Sequence, residues 1–242
     1  MEPQKAHIIS ALQSDILRLQ GFKPVSGTHG DIGLGWMNHS FPNKTFPVGV
    51  VHEFISPGLE DNAATVGFIS GLLSGLMADK GTVLWISASR TLFPPALKLF
   101  GVQPDRFICV DLNHEKDVLW ALEEGLNCGA PNAVVCELKN LSFTESRRLQ
   151  LAVEHSHVTG FIIRTKSRNL STTACVSRWQ ITSLPGQIID DLPGVGYPKW
   201  RVELLRMRNG KAGVWEIVWK EGRFYHVDNE QYVPDFKTRK TG

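Results

Sequence analysis

Four cysteines and eight histidines are available for metal or nucleophilic chemistry in this 242-residue chain, and their spacing argues against both. Cys109, Cys128, Cys136 and Cys175 form no Cys-x-x-Cys pair and no Cys/His ligand spacing, so no metal site is expected. Three of them lie in or beside apolar runs, where a buried reduced thiol is the usual outcome and a reducing compartment follows. His155 and His157 have no ligand or nucleophile at a productive spacing, and no Ser-His-Asp or Cys-His arrangement is assignable. Basic residues are the other candidates. Arg206 and Arg208 flank one residue on an expected strand, and an arginine fork suits phosphate bidentately. Lys166, Arg168 and Arg178 surround the short polar segment 167–173, which has no aromatic residue for stacking on bases. Glu137 is a single carboxylate at the end of an apolar run. The plainer alternatives are solvated arginines on a hairpin, a solvated loop, and an acid at a strand end.

Composition narrows the class. Hydrophobic residues make up 42% of the chain and charged residues 21%, as in ordinary globular domains. A net charge of +2 is too small for a protein that coats nucleic acid, so any DNA contact must come from a local patch. The first residues, Met1 to Lys5, lack a signal peptide's apolar core. The longest apolar stretch, from Ala63 to Ala78, is broken by Gly and Ser and is short for a membrane span. A cytoplasmic protein without a membrane segment is the expectation.

These residues must be positioned by an alternating series of elements. Ile8, Leu12, Ile16 and Leu19 predict an amphipathic helix over 5–20 that Gly21 stops. Residues 23–45 are aperiodic and rich in Gly, Pro and Asn, which predicts a linker along the surface. From residue 48 the pattern becomes regular. Val50–Ile55 is a strand, 56–61 a loop, and Val66, Ile69, Leu73 and Leu76 mark a helix face. Gly67, Gly71 and Gly75 lie on another face of that helix and allow close packing. Strands over 82–88, 107–110, 133–136 and 161–164 alternate with helices over 94–100, 115–126 and 143–154, the last opened by a Ser142/Glu145 capping box. Near-continuous apolar strands alternating with helices mean a parallel sheet wrapped on both faces. Then helices stop, and strands over 175–182, 200–208 and 214–219 follow, with Asn209-Gly210 turning the last two into a hairpin. Most of the tryptophans (Trp85, Trp179, Trp200, Trp215 and Trp219) fall on strand positions and are expected to pack, whereas Trp36 lies in the linker. The expected organisation is a helix over 1–22, a linker over 23–45, one α/β domain over 46–227, and a charged, aperiodic, disordered tail over 228–242.

This order, a parallel sheet extended by antiparallel strands, resembles the RecA-like ATPase core. Val51-His52-Glu53-Phe54-Ile55-Ser56-Pro57 looks like the strand and first turn before a phosphate loop, and Ala133-Val134-Val135-Cys136-Glu137 sits at the Walker B strand. The chain is also similar to the bacterial ImuA family, RecA-like accessory factors of an SOS-induced mutagenic repair system. The resemblance is carried by Leu17 to Phe22, Arg90 to Ala96, Ser146 to Glu154, Thr172 to Cys175 and Pro193 to Gly196. It implies two partners: ImuB, an inactive Y-family polymerase homologue, and an error-prone replicative-type polymerase. It also makes RecA and single-stranded DNA candidate partners.

Within that resemblance the phosphate loop is degenerate. A working loop needs glycines whose N–H groups surround phosphate, a Lys, and a Ser or Thr for Mg²⁺. Here the segment is Ser56, Pro57, Gly58, Leu59, Glu60, Asp61, Asn62 and Ala63, with Ser56 for the first Gly and Asp61-Asn62-Ala63 for Gly-Lys-Thr. The missing Lys removes a charge-assisted contact of roughly 1.5–3 kcal/mol. A carboxylate at Asp61 adds a repulsion of roughly 3 kcal/mol per phosphate charge at about 5 Å. Ser89 stands where RecA keeps a glutamate that activates water. No ATPase activity, nucleotide cofactor or metal is therefore expected, and Asp61 or Asn62 reads most simply as a helix N-cap. The resemblance also gives Arg206 and Arg208 a trans-acting role in a neighbour's nucleotide site. Two alternatives stay open: a divergent ATPase that uses Glu137, and a cell-division inhibitor like the SulA proteins, which also resemble RecA.

Overall fold

Parity along the strands decides how the sheet is covered. In a strand, successive side chains point to opposite faces, and β1 (Val51–Ser56) is buried at all six positions. It must therefore lie inside a sheet covered on both sides. The computed structural model describes residues 32–77, 81–88, 92–165, 171–187 and 196–227, together with Leu12. Its elements are β1, α1 (Leu59–Met77), β2 (Val83–Ser87), β3 (Phe107–Asp111), α2 (Glu115–Asn127), β4 (Ala133–Leu138), α3 (Phe143–Ser156), β5 (Thr159–Thr165), β6 (Ser177–Gln187), β7 (Tyr197–Met207), β8 (Gly213–Lys220) and β9 (Arg223–His226). They form one nine-stranded sheet in the order β3-β2-β4-β5-β1-β6-β7-β8-β9. Every pairing from β3 to β6 is parallel. The pairings β6–β7, β7–β8 and β8–β9 are antiparallel. The expected α/β architecture, mainly parallel with antiparallel additions at the end of the chain, is what the structure has.

Two apolar layers enclose the sheet. On one face, Phe54, Trp85, Phe161, Trp179, Trp200 and Val202 pack beneath α1. On the other, Val51, Ile86, Val134, Cys136 and Ile162 pack beneath α2 and α3. The glycine stripe of α1 does what its spacing suggests. A Cβ on Gly67 would meet Trp200 at 2.9 Å, and one on Gly71 would meet Phe224 at 2.5 Å and Trp219 at 2.8 Å. The aromatic residues of the antiparallel strands thus press directly on the helix backbone. The Ser142/Glu145 capping box is present with both reciprocal bonds, and α3 ends at His157 in the left-handed region.

Several expectations are extended or changed. The segment 94–100 is a 3₁₀ helix with a left-handed Gly101 behind it. β9 was not expected; its four residues are too few to carry a period. β6 runs five residues beyond the expected end, to Gln187. The described part of the expected linker, 32–45, does more than follow the surface: Leu34, Met37 and Phe41 are buried in the α1-side core. Lys211 N–H donates to Ser40 O at 2.9 Å, and a Cβ on Gly210 would meet that carbonyl at 2.3 Å. The Asn209-Gly210 hairpin therefore carries a second constraint, the close passage of the chain before β1. The N-terminal helix, apart from Leu12, and the tail lie outside the described residues. Among the described residues no helix is long and apolar enough to cross a membrane.

Inside the sheet two polar residues of β1 are buried. His52 is held by Ser177 Oγ at 2.6 Å on Nδ1 and by Pro47 O at 2.8 Å on Nε2. A carbonyl can only accept, so Nε2 carries the proton and Nδ1 accepts from the Ser177 hydroxyl. Trp179 Nε1–H in turn donates to that hydroxyl oxygen at 2.7 Å. Burial lowers the His52 pKa to about 4, the hydrogen bond to Pro47 partly opposing the shift. Glu53, the next residue, faces the α3 side.

Candidate functional site

The carboxyl end of β1 and the start of α1 form the place where this architecture would hold a phosphate: the helix amino terminus presents N–H groups and a positive dipole end. In this chain the local bonds there are few and made within the loop and first turn. Ser56 is buried and its hydroxyl donates to Gly58 O at 3.3 Å. α1 starts at Leu59, and Asn62 N–H already bonds back to Gly58 O at 3.0 Å. Asp61 and Asn62 are thus in the first turn, not at the N-cap as expected, because the helix begins two residues earlier. The Asp61 carboxylate accepts from Ser183 N–H of β6 at 3.3 Å. Glu60 and Asp61 together place negative charge on the first turn, where it stabilises the helix and repels an incoming anion. Ala63 is exposed and offers no ligand atom.

The surface beside this turn is apolar. Leu59 is 84% exposed and Phe93 68%. Between α1 and the 94–100 helix lies a cleft of about 300 Å³, lined by Leu59, Ala63, Val66, Phe93, Ala96 and Phe100 among others. Asn62 also lines it, with a buried Oδ1 that has no hydrogen-bond partner. Glu137, at the end of β4, is buried, and Trp85 Nε1–H donates to its Oε1 at 3.3 Å. Ser89 lies outside the described residues, as do Lys166 and Arg168. Among the described residues no group of three or more His, Cys, Asp or Glu side chains gathers as a metal site.

Arg206 and Arg208 lie toward the other end of the sheet. Met207 pairs with Ser177, and Ser177 pairs with His52, near the amino end of β1. Arg206 Nη2 donates to Thr173 O at 3.0 Å and Cys175 O at 2.7 Å, and Arg208 Nη2 donates to Ala174 O at 2.8 Å. The pair therefore ties the segment before β6 to the hairpin. Arg178 is engaged differently: its Nε donates to Glu53 Oε2 at 2.8 Å and its Nη2 to Ser171 O at 2.6 Å.

Sequence reading missed the hub of that contact. Glu53 is fully buried, and its other oxygen accepts from Arg164 Nη1 at 2.8 Å, Arg164 itself being 2% exposed. Thr173 Oγ1 donates to Glu53 Oε2 at 2.8 Å. A carboxylate in the middle of an apolar strand must be paired, because an unpaired buried charge is too costly. That rule applied to Glu53 was the available signal, but it does not say which of the chain's arginines would answer. Cys175 beside this group has its pKa pushed up to about 12 by burial and the Glu53 charge, and burial raises Cys136 well above the ordinary thiol value. Both are unreactive thiols at neutral pH. Cys109, on the edge strand β3, and Cys128 are exposed, so the apolar run around Cys109 did not bury it.

No protein-family model matches the chain. Two curated proteins do, each named Protein ImuA, from two strains of Caulobacter vibrioides. Each is 36% identical over 187 residues, covering 72% of this chain and 77% of the relative. With that identity over more than two thirds of both chains, the protein belongs to the ImuA family.

Proposed function

We propose that this chain is a non-catalytic, RecA-like adaptor in DNA-damage-induced mutagenesis, a member of the translesion machinery that docks ImuB. The observation that carries the reading is the state of the α1 amino terminus. Its first turn bears Glu60 and Asp61, its neighbouring cleft is apolar, and the loop holds one glycine and no lysine. The position of β1 between β5 and β6, with antiparallel strands added beyond β6, supports a RecA-like core. Membership of the ImuA family supports the mutagenic role and ImuB as partner. The error-prone replicative-type polymerase, RecA and single-stranded DNA are further candidate partners, and a reducing cytoplasm is the setting the buried thiols suit.

Two measurements test this. Calorimetry with Mg·ATP is expected to show no binding in the micromolar range; micromolar binding would instead support the divergent ATPase built around Glu137. Co-purification with ImuB is expected to survive substitutions within 56–63 that leave the fold intact. Failure to recover any ImuB complex with the unaltered chain would overturn the adaptor reading, and inhibition of a tubulin-like division polymer would favour the SulA-like one.

A further inference from the structure

Most arginines described on the α3 side of the sheet answer a carboxylate. Arg164 and Arg178 share Glu53, Arg148 pairs with Glu123, and Arg201 with Glu203. Three do not. Among the described residues Arg147, Arg206 and Arg208 form no ion pair, yet all three adjoin the segment 173–175: Arg206 and Arg208 donate to its carbonyls, and Ser146, next to Arg147, accepts from Ala174 N–H at 2.9 Å. We propose that Arg147, Arg206 and Arg208 form a phosphate-binding surface for single-stranded nucleic acid, one that grips the backbone and not the bases.

The geometry carries this in three ways. First, the forks of Arg206 and Arg208 are already oriented, Nη2 of Arg206 donating to the carbonyls of Thr173 and Cys175 and Nη2 of Arg208 to that of Ala174 between them. A guanidinium has five N–H donors, so donors remain on both residues. Second, like charges are held close with no carboxylate in ion-pair contact. Burial lowers the Arg208 pKa first, and the nearby Arg206 and Arg147 lower it further, with Glu154 the opposing carboxylate. An arriving anion relieves that repulsion. Third, Arg206 lies in β7 and Arg208 opens the hairpin turn two residues on, so the two guanidinium groups lie side by side on the same 173–175 segment. A nucleic-acid backbone repeats one charge per residue at a regular interval, whereas peptide carboxylates sit on flexible stems that alternate in direction. This surface rests on the reading of single-stranded DNA as a partner and is separate from the ImuB reading.

The test is fluorescence anisotropy of a labelled oligothymidylate with the full chain, across a salt series and with no partner protein present. Arg147 is the position to alter, because it is exposed and its side chain makes no hydrogen bond among the described residues, unlike those of Arg206 and Arg208. Binding is expected to weaken steeply with salt, and Arg147→Ala to reduce the salt slope by about one. Arg147→Glu is expected to weaken binding at least about fivefold, while Lys98→Glu, an equal charge change on the α1 side of the sheet, stays within about twofold. Thermal melts of the variants establish that all three are folded. Equal loss in the two charge reversals, absence of salt-dependent binding, or tighter binding of polyglutamate than of the oligonucleotide would overturn the proposal.

Discussion

His52 and Glu53 are adjacent on β1 and buried on opposite faces, and each makes folding sensitive to charge in its own way. His52 is neutral in the fold, with a pKa of about 4 against 6.5 when unfolded. The unfolded chain therefore binds the extra proton between these values. The stabilisation is complete above pH 6.5 and is lost as pH falls through 6.5 towards 4, up to roughly 3 kcal/mol. Urea midpoints measured at pH 7 and pH 4.5 should differ accordingly, and His52→Gln should be less stable at pH 7 but flatter across that window. Glu53 binds two arginines and a hydroxyl. Replacing it with Gln leaves Arg164 buried without a counter-charge, and a loss of about 3–5 kcal/mol is expected by chemical denaturation. The same change at Glu123, whose partner Arg148 is largely exposed, should cost no more than about 1 kcal/mol.

At the scale of the element, α1 is the helix that faces both the degenerate loop and the aromatic layer. Ala is a better helix former than Gly by about 1 kcal/mol. At Gly71, however, an added Cβ would overlap the Phe224 and Trp219 rings. Overpacking of this kind costs about 1–3 kcal/mol, so Gly71→Ala should lower stability despite the gain in propensity, whereas a solvent-facing Gly would show the reverse. Thermal melts that rise for Gly71→Ala would contradict the packing. In α3 the capping box is a local device, and Ser142→Ala should cost about 1 kcal/mol without altering the sheet. The alternation of strand and helix, the glycine stripe and this cap were all legible, because each depends on residues close in sequence. The start of α1 was not. Asp61 and Asn62 are both good N-cap residues, and only the Gly58 carbonyl bonding to Asn62 N–H shows that the helix had already begun.

For the molecule as a whole, the proposed absence of nucleotide binding rests on the loop and its surroundings together. Asp61→Gly with Asn62→Lys and Ala63→Thr would give the loop the side chains of a phosphate loop, yet it would still have Ser56 in place of the first Gly and Pro57, which has no N–H to offer. It would also still lie beside the cleft lined by Leu59 and Phe93. The triple variant is expected to show no micromolar Mg·ATP binding in calorimetry. Micromolar binding would mean that the loss resides in three side chains and not in the loop's backbone and surroundings.

The sequence by itself determined the α/β class and the parallel sheet with its antiparallel extension. These follow from periodicity and from strands apolar at every position. Tertiary structure alone decided the partners of the charged groups. Glu53 could be seen to need a cation, but Arg164 and Arg178 come to it from 111 and 125 residues away. For the same reason Arg206 and Arg208 read as a pair in the sequence, while Arg147 joins them only once α3 is laid over the sheet. Charge pairing is a property of distance in space, and the chain order carries no record of which of its 26 Lys and Arg residues the sheet will bring to a given carboxylate.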